Sequence, residues 1–391
     1  MIAVEEAQKR LLALASPLPS QKLLLEQAIG RYLAEDLVSK RSQPAADLSA
    51  MDGYAIRFTD LPGPFTLKGE SAAGSPFNAV VGSRETVRIF TGAIIPKGAD
   101  TILVQEDASE DASIVHMIGD GPNHKGRHIR RKAADFCEGD LLLKRGSLLQ
   151  AGAIAAAAMS GYGMLSTGGI PKIKIIATGN ELVAPGGNCD AAHIPSSNNV
   201  MLRAMLKSLP CEITDAGIVE DDLESLQVAF GDAPDYDVIV TSGGASVGDH
   251  DLVQEALRAI GAGIDFWRVA IRPGKPLMAG KIGTTMLLGL PGNPSSAFVT
   301  ATLFLLPLIR HLARSTTPFP IIGSAEITAN LGAGDDRAQY MRARVVDGRI
   351  TPFDKQDSGM LKPLLEANAL LLRPVNADPL VIGDRAPYLA L

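Results

Sequence analysis

The sequence predicts a multi-domain α/β plus β protein, with an α/β unit at its centre and β-rich units on either side. Three observations point to this class. At 391 residues the chain exceeds one core of about 100–150 residues, so three or four units are expected. From Lys172 to about Arg310, β-rich apolar runs alternate with helical patterns such as NNVMLRAMLKSL and DLVQEALRAI, the rhythm of a sheet covered by crossover helices. Outside that stretch many runs are short, β-prone and broken by Gly and Pro, which suits small β modules.

In chain order, residues 3–15 carry an amphipathic helical pattern, and SQKLLLEQAIGRYLAEDLV reads as a turn-capped element ending in a strand. From Phe58 to Ile118, FTLKGES, ETVRIFTGAIIP, TILVQEDA and SIVHMI read as a small all-β module inserted into the first unit. Longer elements return after it, with a helix from about Gln150 to Ser160, so the first unit is expected to be discontinuous. TGGIP at 167–171 is a linker signal. The strands of the α/β unit are expected at KIKIIA, CEITDAGI, DVIVT, IDFWRVA, PLMAG and TMLLGL, followed by a helix from near Ser295 to about Arg310. After STTPFPIIG the pattern is β again, with a hairpin around Asp347–Gly348, and the tail reads as a compact barrel or sandwich.

Composition narrows the function classes. Hydrophobic residues at 46% and charged residues at 20% are ordinary for a globular protein. A net charge of −6 speaks against a nucleic-acid partner. Cys137, Cys189 and Cys211 have no C-x-x-C spacing, so neither a disulfide framework nor a zinc cluster is expected. MIAVEEAQKRLLALA carries acids within its amphipathic pattern, unlike a signal peptide. The apolar runs ATLFLLPLI and AGAIAAAAMSGYGM are too short to span a bilayer. A cytoplasmic protein with no membrane partner is therefore expected.

In open α/β sheets, ligands bind outside the carboxyl ends of the strands, near a switch in strand order. Several loops fall there. TGNEL (178–182) ends the first strand; its amides suit a ligand, and Glu181 can hold a cation or a hydroxyl, or stand solvated at a turn. SGGASVGD follows the third strand and contains Ser242, Gly243, Gly244, Ser246 and Gly248, a loop able to wrap a phosphate with backbone N–H groups. It matches neither G-x-G-x-x-G nor the Walker pattern. Asp249 and Asp251 just beyond it suit Mg²⁺, or the cap and first turn of the next helix. IRPGKP places Arg272 and Lys275 around a Pro-Gly turn, suited to an oxyanion. In LPGNPSSA, Pro291 and Pro294 stiffen the approach, and Ser295 and Ser296 open a helix whose free amides favour negative charge.

Outside the α/β unit, SAMDGYA sets Asp52 beside a turn glycine, a candidate for metal or substrate contact as well as an ordinary turn aspartate. Thr91 stands where a strand breaks, and Arg127, Arg130, Arg131 and Lys132 form an anion patch, or a solvated face, before Asp135. No Ser-His-Asp arrangement is present in the pattern.

Taken together, SAMDGYA, TGA-x-x-P-x-GAD, TGNEL, SGGASVGDHD, RPGKP and GLPGNP-x-S keep one order and spacing over essentially all 391 residues. They resemble the molybdopterin molybdotransferase family, MoeA, which the C-terminal domain of gephyrin also resembles. The resemblance implies an elongated discontinuous domain at 1–40 and 127–167 and an inserted β domain at 41–126. It further implies an α/β domain at 168–315, similar to the molybdopterin adenylyltransferases, and a C-terminal β-barrel at 316–391. The implied reaction takes adenylylated molybdopterin and molybdate, cleaves the phosphoanhydride with Mg²⁺, releases AMP and leaves molybdenum cofactor.

By motif, Asp52, Thr91, Asp135, Glu181 and Asp251 would be catalytic, and Asp52, Glu181, Asp249 and Asp251 would supply metal ligands. The glycine-rich loop, Asp221 or Asp222, Ser197 and Asn198 would bind substrate. Arg272 and Lys275 would hold molybdate beside Pro291, Pro294 and Ser295. An elongated homodimer is implied, its cleft shared between subunits, together with a molybdopterin adenylyltransferase and acceptor molybdoenzymes as partners. Asn180 stands where the family commonly has aspartate. Two other functions compatible with these motifs are a non-catalytic molybdopterin carrier or scaffold and an adenylyltransferase.

Overall fold

The fold is that of a computed structural model, which describes residues 1–243 and 252–391. Its centre is a six-stranded sheet in the order Glu212–Val219, Lys172–Thr178, Val238–Ser242, Thr285–Leu290, Pro276–Ile282, Gly263–Arg268. The first four are mutually parallel. The inner strands are near-continuous apolar runs because both sheet faces are covered: all of Val238–Ser242 and Thr285–Leu290 is buried. From Lys172–Thr178 the chain passes outward to Glu212–Val219, then returns to Val238–Ser242 on the other side. That reversal is the switch point at which a ligand cleft is expected.

The last two strands run antiparallel to their neighbours. The crossover rhythm fails here for a physical reason: a parallel return needs a connection of about a dozen residues. Residues 283–284 instead form a tight turn between Pro276–Ile282 and Thr285–Leu290.

One sheet face packs under Asn198–Leu206 and the long helix Pro294–Leu312, with Ile175, Val240 and Leu288 against Leu202, Phe304 and Leu308. The first helix, Val4–Leu14, joins the same core through Val4, Ala7 and Leu11. The other face packs under Leu223–Phe230 and Leu252–Ala259. By length and composition Pro294–Leu312 would cross a membrane, yet 78% of it is buried inside the fold, so it is a core helix. Its middle, Ala301–Leu305, takes a π turn just before Pro307, whose missing N–H cannot sustain the α ladder.

The first unit is discontinuous. Gln21–Leu24 pairs with Met164–Thr167, and Leu37–Val38 with Leu141–Leu143, over a core of Ala28, Leu33, Leu37, Leu149, Ala157 and Leu165. Between these halves lies an open sheet in the order Thr101–Val104, Gly53–Ile56, Glu85–Ile89, Phe65–Ser71, Ile114–Met117, Ala108–Asp111.

The C-terminal strands close a ring. Ala338–Val346 pairs with Arg349–Pro352, which pairs with Ile322–Ile327, then Arg385–Ala390, then Ala369–Arg373, and back to Ala338–Val346. The barrel alternative holds. Asp347 and Gly348 both take positive φ at the expected hairpin, as a two-residue turn of this twist requires. Ile271–Arg272 adds to the barrel edge beside Ala338–Gln339, so the basic loop of the α/β unit is tethered to the barrel.

Candidate active site

A cleft of about 1090 Å³ opens at the switch point. Its floor is the carboxyl end of the parallel strands: Thr178, Gly179, Ser242 and Gly243 line it. Gly243 has φ +97°, and a Cβ there would collide with the Thr178 carbonyl; only glycine lets these strand ends approach so closely. Asn198 clamps the floor, its side-chain amide donating to Ser242 Oγ and to the Gly292 carbonyl, both at 2.7 Å. Ser197 lines the cleft beside it.

Two carboxylates, Glu181 and Asp221, stand on one wall. Asp221 accepts the Thr178 hydroxyl at 3.3 Å, and its N–H donates to Asn180 Oδ1 at 3.2 Å. Asn180 thus fixes the acidic turn through an acceptor that aspartate would also supply. Asp222 does not line the cleft. It caps the helix Leu223–Phe230 by accepting the Ser225 N–H at 2.9 Å, and hydrogen bonding from Ser225 holds its carboxyl below the usual range. The helix cap holds Asp222 away from the cleft that Asp221 lines.

The same cleft also carries cations. Arg272, Lys275 and Arg337 all line the cleft. Arg272 is paired with Asp335 at 2.9 Å, while Lys275 has no side-chain partner among the described residues. Gly274 at φ +109° presses the basic turn onto Pro294–Leu312, where a Cβ would lie 2.5 Å from Thr300 Cγ2. Pro291, Pro294 and Ser296 continue the wall. Ser295 does not: its hydroxyl donates to the Met360 carbonyl at 2.6 Å and its N–H to the Ser358 carbonyl at 3.0 Å. The expectation that Ser295 faces the ligand is corrected by this engagement with the barrel.

The four cleft residues from the barrel, Arg337, Gln356, Ser358 and Gly359, were not anticipated from sequence. The string KQDSG had the same small, polar, glycine-containing character as the loops of the α/β unit. Its position in a β-rich tail hid its relation to the strand ends.

Asp52 and Thr91 form a preassembled pair away from this cleft. Asp52 Oδ1 accepts both the backbone N–H and the hydroxyl of Thr91, at 2.7 and 2.8 Å, and these two donors hold its carboxyl below the usual aspartate range. Asp135 is also outside the cleft and exposed. The nearby basic run is partly neutralised, because Asp47 accepts from Arg131 Nη1 at 2.7 Å and from the Lys132 N–H at 2.8 Å. Gly244, Ser246, Gly248, Asp249 and Asp251 lie outside the described residues. Among the described residues no group of three His, Cys, Asp or Glu could hold a metal ion.

A second cavity of about 710 Å³ lies where the first unit meets the end of Pro294–Leu312. Two of its polar side chains are engaged: His311 contacts the Ala15 carbonyl and Arg314 donates to Leu18 O.

Comparison with known proteins gives a consistent pattern. Residues 2–161 match the model of the MoeA N-terminal region (domains I and II), 174–311 that of a probable molybdopterin binding domain, and 324–391 that of the MoeA C-terminal region (domain IV). The chain is 36% identical over 349 residues to a molybdopterin molybdenumtransferase of Haemophilus influenzae, covering 88% of this chain and 85% of that one. It is 32% identical over 387 residues to the enzyme of that name from Staphylococcus aureus, covering 95% and 91%. A solved structure of the molybdopterin biosynthesis MoeA protein from Pyrococcus horikosii superposes with a TM-score of 0.82 at 27% identity, over 100% of this chain and 99% of that one.

Proposed function

This chain belongs to the MoeA family, and from that premise we propose that it is a transferase inserting molybdate into adenylylated molybdopterin, with release of AMP. The observation that carries this reading is one cleft with opposed chemistries. Carboxylates and strand-end amides stand on one side, and Arg272, Lys275 and Arg337 on the other. Such a cleft suits a substrate that carries phosphate at one end and meets an oxyanion at the other.

The residues divide the work by chemistry. Ser242, Gly243 and Ser197 offer small polar groups to the pterin phosphate. Lys275, free of an ion pair among the described residues, and Arg272 hold molybdate; Arg337 adds to the same field and offsets charge as AMP departs. Glu181 and Asp221 present hard carboxylate oxygens, a donor set that fits Mg²⁺; Asp249 and Asp251 are the further ligands we propose. Bound there, the ion would draw electron density from the phosphate under attack.

Asp52 and Thr91 are proposed to complete the site from a partner subunit. Their pair is ordered by its own hydrogen bonds, which favour the Asp52 carboxylate, yet it does not line the cleft of its own chain. The first unit also exposes Leu24, Ile29, Val38, Met159 and Met164, apolar side chains that a homodimer would cover. The adenylylated substrate requires an adenylyltransferase upstream, and the product requires acceptor molybdoenzymes. Three free cysteines suit the reducing cytoplasm.

The deciding experiment incubates the protein with adenylylated molybdopterin, Mg²⁺ and molybdate. Molybdate-dependent AMP release and activation of a cofactor-free molybdoenzyme are expected. Binding without AMP release would favour a carrier, and ATP consumption with free molybdopterin would favour an adenylyltransferase.

A further inference from the structure

We propose that Arg342 is a positioning residue for the oxyanion, acting through the barrel loop 353–360; the proposal rests on Arg272 and Lys275 being the oxyanion wall.

Arg342 is the largest fully buried side chain among the described residues, at 0% exposure. It lies on Ala338–Val346, paired with Leu370, on the barrel face that shares a core with the α/β unit through Ala338, Tyr340, Leu370 and Leu389. Its Nη2 donates to the Asp357 carbonyl at 2.9 Å and the Lys355 carbonyl at 3.5 Å. Its backbone is clasped by Gln356, which accepts the Arg342 N–H and donates to the Arg342 carbonyl, both at 3.0 Å. Nε and Nη1 have no partner among the described residues. Burial pulls the guanidinium pKa below the ordinary arginine value, with the Asp357 charge opposing.

Stability alone does not account for such a group, because an apolar residue of similar volume usually serves a core at least as well as a half-satisfied cation. The other edge of the loop is engaged by the start of Pro294–Leu312. Ser358 O and Met360 O accept from Ser295, and Ser358 Oγ accepts from Asn293 Nδ2 at 2.9 Å. Four acceptors of the loop, the carbonyls of Lys355, Asp357, Ser358 and Met360, are thus engaged by Arg342 and Ser295, neither of which lines the cleft. Carbonyl oxygens turned into the cleft would repel an oxyanion. Engaged behind the wall, they leave Gln356, Ser358 and Gly359 facing it beside Arg337.

The strand-end floor where the pterin phosphate would bind is held separately, by Asn198 and Gly243. Loss of Arg342 should therefore damage one substrate and spare the other. The test compares Arg342→Met, Arg342→Lys and Ser295→Ala with the wild-type dimer, measuring KM for molybdate from AMP release and the affinity for molybdopterin from fluorescence quenching. For Arg342→Met, molybdate KM is expected to rise about tenfold or more, the scale of a lost charged hydrogen bond, with molybdopterin affinity unchanged. Lysine keeps one charged donor and should recover part of the loss; Ser295→Ala should shift molybdate KM in the same direction.

An unchanged molybdate KM in Arg342→Met, or an equal loss for both substrates, overturns the proposal. If Arg342→Met does not fold, Ser295→Ala decides alone, and an unchanged molybdate KM there overturns it. Lys275→Ala in the same assay separates the levels. If it too leaves molybdate KM unchanged, the oxyanion wall itself is refuted. If it raises molybdate KM while Arg342→Met does not, the failure belongs to the positioning role.

Discussion

Arg272 and Lys275 flank one turn, but their surroundings make them unequal. Arg272 already has Asp335 at 2.9 Å, whereas Lys275 faces the cleft without a side-chain partner among the described residues. Lys275→Ala should therefore raise the molybdate requirement while leaving turnover at saturating molybdate largely intact; AMP release across a molybdate titration measures this, and an unmoved profile would refute the role. Asp52 gives a pH prediction. Its two hydrogen bonds from Thr91 lower its pKa below the ordinary 3.8, so they stabilise the folded state above that value and are lost as pH falls through the lowered one. Thr91→Val removes the hydroxyl donor and should move the Asp52 transition upward in a carboxyl-carbon NMR titration. These residues were legible in the sequence because glycine and proline mark their turns. The choice between Asp221 and Asp222 was not, since it depends on which one caps a helix. Nor was the orientation of Ser295, which answers to carbonyls contributed by the barrel.

At the scale of elements, periodicity found the helices and strands of the α/β unit, and turn chemistry found the Asp347–Gly348 hairpin. Strand direction was less legible. Apolar runs look alike whichever way they run, and only the short connection at 283–284 signalled an antiparallel return. The barrel loop at 355–360 escaped because its place in the cleft arises from tertiary placement beside Ser295 and Asn293. The basic turn offers a direct test of how tightly elements are fitted. Gly274→Ala combines an unfavourable φ of +109° with a contact at Thr300 and should cost about 1–3 kcal/mol, read from the midpoint of chemical denaturation. It should also weaken molybdate binding, because Lys275 moves with the turn.

At the scale of the whole molecule, the cleft draws on the α/β unit and the barrel, and the proposed dimer adds the inserted sheet of a second chain. A sequence lists these parts without saying which chain supplies each to which cleft, so the proposed sharing rests on resemblance. Complementation tests it. Asp52→Asn and Lys275→Ala homodimers should each be impaired, but mixing the two under exchange should restore one intact cleft per heterodimer, measured as molybdate-dependent AMP release at low molybdate. No recovery would place Asp52 and Lys275 in the service of the same chain's cleft. The closed ring of the barrel has a consequence for biosynthesis. The strand Arg385–Ala390 sits between Ile322–Ile327 and Ala369–Arg373, and its Leu389 shares a core with Val4 and Leu11 of the first helix. The ring cannot be completed until that strand has left the ribosome. A nascent chain shortened before it would hold every motif of the α/β unit with the barrel ring still open.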